Sequence, residues 1–130
     1  MDRFPAISLR LDLGPGRRLG PGKIDLLEAI AAGGSITAAA RALGMSYRRA
    51  WLLVAETNRL FGAPLVTSAT GGSRGGGAAL TPLGRKAIAA FRAIEGEAAR
   101  AAGKHLKAIT GGKLKILRPR KASARRSKPT

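Results

Sequence analysis

The sequence predicts a mainly α fold with a small β wing, continued by one long C-terminal helix and a disordered basic tail. Three observations carry this. Helix-period apolar patterns between residues 21 and 110 are punctuated by Gly-Gly, by a single Gly and by Thr-Pro. Two short strand-like runs flank a glycine-rich loop at residues 69–77, and the last 18 residues have a composition that excludes packing. The implied division is 1–20, an N-terminal strand and Gly/Pro connector; 21–81, the compact domain; 82–110, the long helix; and 111–130, the tail.

Residues 5–12 alternate, with Ile7, Leu9 and Leu11 on one side and Ser8, Arg10 and Asp12 on the other, a period of two that predicts a strand. GPGRRLGPG follows as a turn-rich connector. Residues 21–32 form the first helical pattern, with Ile24, Leu27, Ile30 and Ala31 as its apolar side, and Gly33-Gly34 stops it. Ser35 is placed as an N-cap for ITAAARAL, and Gly44 ends that short helix. Ser46 caps a third helix, expected to run to about Phe61 with Ala50, Leu53 or Val54, Thr57 and Phe61 inward. Residues 64–68 and 78–80 are the expected strands of the wing. Thr81-Pro82 starts the last helix, because threonine accepts from orphan N–H groups and proline at the first position forfeits no hydrogen bond. Its stripe, Ala87, Phe91, Ile94, Ala98, Ala101, His105 and Ile109, reaches to about residue 109.

The junction between the second and third helices is the most informative stretch. Two helices crossing over a three-residue turn need a small residue at their closest approach, a residue tolerant of positive φ in the turn, and an apolar residue one turn into the second helix. Ala40, Gly44 and Ala50 meet these needs at spacings of four and six, the pattern of a helix-turn-helix. In that arrangement the second helix projects its outward N-terminal residues into the major groove of DNA. Those residues are Tyr47, Arg48, Arg49 and Leu52, with Trp51 equally suited to contact or core. Arginine presents a planar fork of donors matching guanine O6 and N7, and tyrosine bonds phosphate or sugar. Ser35 and Ser46, at the two helix starts, complete the candidate contacts, with Gly72, Ser73, Arg74 and Gly75 of the glycine-rich loop approaching phosphates or the minor groove.

Charge agrees. Lys and Arg total 24 against 7 Asp and Glu, a formal net charge of +17, which favours a polyanionic partner. Residues 113–130 hold eight of these cations, no acid and two prolines, and cannot bury enough apolar area to offset chain entropy. Cysteine is absent, which excludes disulfides and thiolate metal sites. No secretory signal and no membrane-length apolar run is present, so a cytoplasmic, nucleoid-associated protein is expected. One histidine and seven scattered carboxylates furnish no acid–base pair, so no enzyme activity and no cofactor are expected. The loop at 69–77 lacks the Gly-Lys-Ser/Thr of a nucleotide cradle.

From Leu26 to about Glu95 the chain resembles the DNA-binding domain of the molybdate-responsive ModE-type regulators, itself similar to the N-terminal domain of LysR-type regulators. The matching stretches are LLEAIAAGGSITAAARALGMSYRRAW and PLVTSATGGSRGGGAALTPLG. Gly34-Ser35-Ile36 with Ala39-Ala40 is shared by both groups, whereas Ser46-Tyr47-Arg48-x-Ala50-Trp51 and the glycine loop are particular to the ModE type. The resemblance implies a winged helix-turn-helix that reads bases with the helix from Ser46 and dimerises through its long final helix. Full-length members of that family continue into small β-barrel domains that bind molybdate. No such segment is visible after Ile109, so direct molybdate binding is not expected.

The expectation is therefore a sequence-specific regulator on double-stranded DNA. Phe91, Ile94, Ala98 and Ala101 would pair two copies on an inverted-repeat operator, and the tail would add affinity for phosphates. A sequence-indifferent nucleoid-associated or RNA-binding protein, driven by the tail, is the alternative.

Overall fold

The computed structural model describes residues 6–69, 76–113, 115 and 116. Its elements in chain order are β1 (Leu11–Gly14), β2 (Arg17–Leu19), α1 (Pro21–Gly33), α2 (Ile36–Leu43), α3 (Tyr47–Thr57), β3 (Val66–Ala69), β4 (Gly77–Leu80) and α4 (Pro82–Thr110). The expected architecture, mainly helical with a small two-stranded wing and a long final helix, is present. Residues 70–75, which include Gly72, Ser73, Arg74 and Gly75, lie outside the described residues, as does most of the expected basic tail.

The core is organised around α1, which contacts α2, α3, α4, β2 and β4. Being surrounded, α1 buries Ile24, Asp25, Leu26, Leu27 and Ile30 rather than a single stripe. That corrects two expectations: Ala31 is exposed, and Asp25 lies inside. Against α1 pack Ile36, Ala39, Ala40 and Leu43 of α2, Ala50 and Val54 of α3, and Phe91 of α4.

Three side-chain caps fix the helix starts. Ser35 Oγ accepts from the N–H of Ala38, Ser46 Oγ from Arg49, and Thr81 Oγ1 from Gly84, at 2.9–3.0 Å. Gly44 closes α2 with φ +69°, and the Met45 N–H donates to Ala40 O at 3.0 Å. Ala40 and Ala50 are both buried, as the turn geometry requires.

Two boundaries differ from those the sequence suggested. The N-terminal strand comes later, at Leu11–Gly14, and pairs with Arg17–Leu19 inside the stretch read as a connector. Pro15, with Gly16 at φ +71°, turns the chain between them, proline setting the first turn position and glycine tolerating the second. Leu9, Leu11 and Leu13 still place their alternating side on the core. Helix α3 stops at Thr57 rather than near Phe61: the chain tightens there into shorter-range bonds, Arg59 N–H to Glu56 O and Leu60 N–H to Thr57 O, both at 3.1 Å, and the side chain of Asn58 serves the following loop. Its Oδ1 accepts from the N–H groups of Leu65 (2.8 Å) and Val66 (3.0 Å), while Nδ2 donates to Val66 O at 3.3 Å. Leu60 takes the buried place expected of Phe61, which is exposed.

The wing strands pair antiparallel, Val66 opposite Leu80 and Ala69 opposite Gly77. Two contacts hold the wing base to the helices. Ala78 N–H donates to Gly34 O at the α1–α2 corner (2.9 Å), and Thr81 N–H donates to Leu65 O (2.9 Å). Gly84, in the first turn of α4, lies so close to the Leu65 carbonyl that a Cβ there would collide with its oxygen.

Candidate nucleic-acid interface

The outward surface of α3 follows from its inward one. With Ala50, Val54 and Thr57 buried, a step of about 100° per residue places Arg48 and Leu52 about 150–170° from the buried centre. Trp51 and Arg49 lie about 90–110° away on opposite flanks. The structure agrees: Tyr47, Trp51 and Leu52 are 52%, 48% and 53% exposed, and Arg48 and Arg49 are exposed beside them. Trp51, for which contact and core were equally open, therefore belongs to the surface. Its ring meets that of Tyr47 edge-on, with centroids 6.3 Å apart and planes at 79°, so the two rings brace one another across one helical turn.

The electrostatics of this face are simple. Among the described residues, neither Arg48 nor Arg49 has an acid within ion-pair distance. The nearest acid along α3, Glu56, is engaged by Lys23 of α1 at 3.3 Å. Asp12 is similarly drawn to Arg10 and Arg18 at 3.4 and 3.6 Å. Arg48 points straight outward, whereas Arg49 also borders an open cleft of about 430 Å³ shared with Gly22 and Asp25 at the start of α1. A planar guanidinium on an unopposed outward face is suited to a bidentate acceptor such as a guanine edge or a phosphate.

Ser35 and Ser46, both candidate contacts, each accept one backbone N–H as helix caps, through the hydroxyl oxygen. Of the candidate dimer residues, Phe91 is wholly buried in the core of its own chain and is corrected to a core residue. Ile94 and Ala101 are exposed, and Ala98 is half-buried.

One cluster escaped the sequence reading. Arg92 of α4 reaches across to α1, where Nη2 meets Glu28 Oε1 at 2.7 Å and Asp25 Oδ1 at 3.4 Å. Nη1 meets Glu95 Oε1 on its own helix at 2.7 Å. The hydrogen bond to Glu28 raises the guanidinium above its ordinary pKa; burial opposes this, and Glu95 adds to it. The i,i+3 spacing of Arg92 and Glu95 is visible in sequence, but their partners on α1, more than sixty residues away, are not.

The fold and this surface define a helix-turn-helix domain, and residues 22–85 match the family model described as bacterial regulatory helix-turn-helix protein, lysR family. More particularly, it is a ModE-like domain. Over 103 residues the chain is 47% identical to the molybdenum-pterin-binding protein MopB of Rhodobacter capsulatus, covering 79% of this chain and 38% of that protein. It is 40% identical over 107 residues to the molybdenum transport protein ModE of Azotobacter vinelandii, covering 80% and 40%. It is 47% identical over 68 residues to the DNA-binding transcriptional dual regulator ModE of Escherichia coli (strain K12), covering 52% and 26%. The chain spans about two fifths or less of the length of these relatives. No helix among the described residues is long and apolar enough to cross a membrane.

Proposed function

We propose that this chain is a sequence-specific regulator of transcription that binds double-stranded DNA, laying α3 in the major groove. The observation that carries this reading is the outward face of α3. It bears Arg48, Arg49 and three large exposed apolar side chains, on a helix held by a capped turn whose inward residues are fully committed to the core. Arg48 is the leading base reader, through a guanine edge; Arg49 reads a flanking base or phosphate; Tyr47 bonds the backbone. The loop at Gly72–Gly75, with Arg74, would track phosphates as a wing, and residues 111–130 would supply affinity without choice.

Two copies on an inverted repeat are the accompanying proposal. Beyond Glu95 no residue of α4 is buried, which leaves about 15 residues, or about 22 Å, of helix without packing in one chain. Isolated helices of that length are marginal in water, so a second copy along Ile94, Ala98 and Ala101 supplies the missing burial.

Selection of bound fragments from random duplexes tests both halves. A single preferred sequence with two-fold symmetry is expected, and Arg48→Ala should relax one position per half-site at about 1–3 kcal/mol. Equal recovery of all sequences would refute the reading and favour an indifferent binder. Sedimentation at low micromolar concentration should report a dimer; a strict monomer bound to one asymmetric site would refute the pairing.

A further inference from the structure

Half of the large exposed apolar residues among those described, Tyr47, Trp51 and Leu52 of six, stand on the 11 residues of α3. A surface helix needs no such side chains for folding, and its core side is already filled by Ala50, Val54 and Thr57. Leu52 shares the fully outward line of the helix with Arg48, one turn further on. Trp51 stands beside it, its ring steadied edge-on by Tyr47. Cations flank this apolar strip and, among the described residues, no unpaired acid interrupts it, so a partner must present apolar groups within an anionic surface. The floor of the major groove does so at one place, the C5-methyl group of thymine.

We infer that Leu52 and Trp51 form an apolar reader of thymine methyl groups, which deepens the proposed function and rests on α3 occupying the major groove. The spacing follows from the helix. Arg48 and Leu52 are four residues apart, a rise of about 6 Å, against about 3.4 Å per base-pair step. A half-site should then carry an arginine-read guanine and, about two base pairs along, a thymine facing Leu52, with a neighbouring thymine against Trp51. Arginine chooses by hydrogen bonds and Leu52 by shape, so the two errors are independent. Cytosine at the thymine position would offer an amino donor and no methyl, leaving Leu52 against a polar group with nothing to bond it.

The test uses the full chain and a duplex selected by it from a random pool. Each thymine is replaced in turn by uracil, which keeps the base pair and removes the methyl, and affinity is read by fluorescence anisotropy at fixed salt. One or two positions per half-site should lose roughly fourfold, the value of one buried methyl-sized group at about 0.8 kcal/mol. At those positions the uracil penalty should vanish in Leu52→Ala or Trp51→Ala, because the side chain that met the methyl is no longer there. Both side chains are half exposed, so unchanged thermal melting is expected for the variants, and the uracil series on the unaltered protein does not depend on it. Uracil tolerated at every position, or a penalty that persists in both variants, overturns the inference. If Arg48→Ala still relaxes choice in that case, α3 remains the reader and only the methyl contact falls. If selection yields no preferred sequence, both fall. Affinity for every duplex unchanged by Leu52→Ala and Trp51→Ala would overturn the inference and leave the strip to a protein contact.

Discussion

Replacing Arg92 with alanine removes a guanidinium shared by carboxylates on two helices, and the size of the loss can be worked from the exposures. The side chain of Glu95 is 3% exposed and that of Asp25 is 5%, against 33% for Glu28. The Glu28 arm, open to solvent, contributes about 0.2–1 kcal/mol, as surface pairs do. The Glu95 arm differs: a buried carboxylate stripped of a cation at 2.7 Å is left with its desolvation uncompensated, a penalty of about 3–5 kcal/mol. Arg92 itself is 20% exposed, which lets water relieve part of this, so a total near 3 kcal/mol is expected. For a domain of this size each kcal/mol lowers the midpoint by about 4–8 °C, so Arg92→Ala should melt roughly 12–24 °C below the parent. Urea unfolding followed by circular dichroism gives the free energy. The pair Arg92→Ala with Glu95→Gln should recover at least about 1 kcal/mol of the loss, since the second change removes the stranded charge. A single-variant loss under about 1 kcal/mol, or strict additivity in the double variant, would show that the cluster is solvated in practice and that the reasoning from burial is wrong.

Three further outcomes are expected. Gly84→Ala, although alanine is the better helix former, should destabilise by about 1–3 kcal/mol because its Cβ meets the Leu65 carbonyl; a gain in melting temperature would mean that α4 shifts freely against the wing. Ser46→Ala should cost about 1 kcal/mol of stability through the missing cap on Arg49, while leaving the choice of operator intact; altered choice in a binding selection would return Ser46 to the reading residues. Deleting residues 111–130 should weaken binding to all duplexes alike and flatten the log–log salt dependence by about 0.9 for each phosphate that the tail neutralises. Discrimination that disappears with the tail would instead favour the sequence-indifferent binder.

The helical part of the fold was legible because its signals are local. Ser35, Ser46 and Thr81 are cap residues whose hydroxyls bond within three positions, and Gly44 ends a helix by its own backbone. The outward face of α3 was readable as the complement of its inward residues Ala50, Val54 and Thr57. What stayed hidden depends on distant partners. Asp25 is polar in sequence and buried in fact, because α4 brings Arg92 to it from far along the chain. Phe91 reads as one member of an exposed stripe until α1 is seen to cover it. Asn58 gave no sign of tying Leu65 and Val66, since side-chain bonds across a loop leave no periodic trace. The β1–β2 hairpin was missed for the opposite reason: its strands are so short that the Gly-Pro turn signals masked them.

The bare half of α4 has a mechanical side. Helix α4 is held from its start as far as Glu95, and then runs about 22 Å further to Thr110, like a beam clamped at one end. A tilt of only about 10° at the clamp displaces the far tip by about 4 Å, more than one base-pair step of about 3.4 Å along DNA. If two such beams join at their free lengths, the distance between paired α3 helices is set by the stiffness of one ion cluster remote from any base. Substitutions around Asp25, Glu28 and Glu95 would then retune which half-site spacing is accepted without altering which bases are read, so spacing and sequence could drift independently in related proteins.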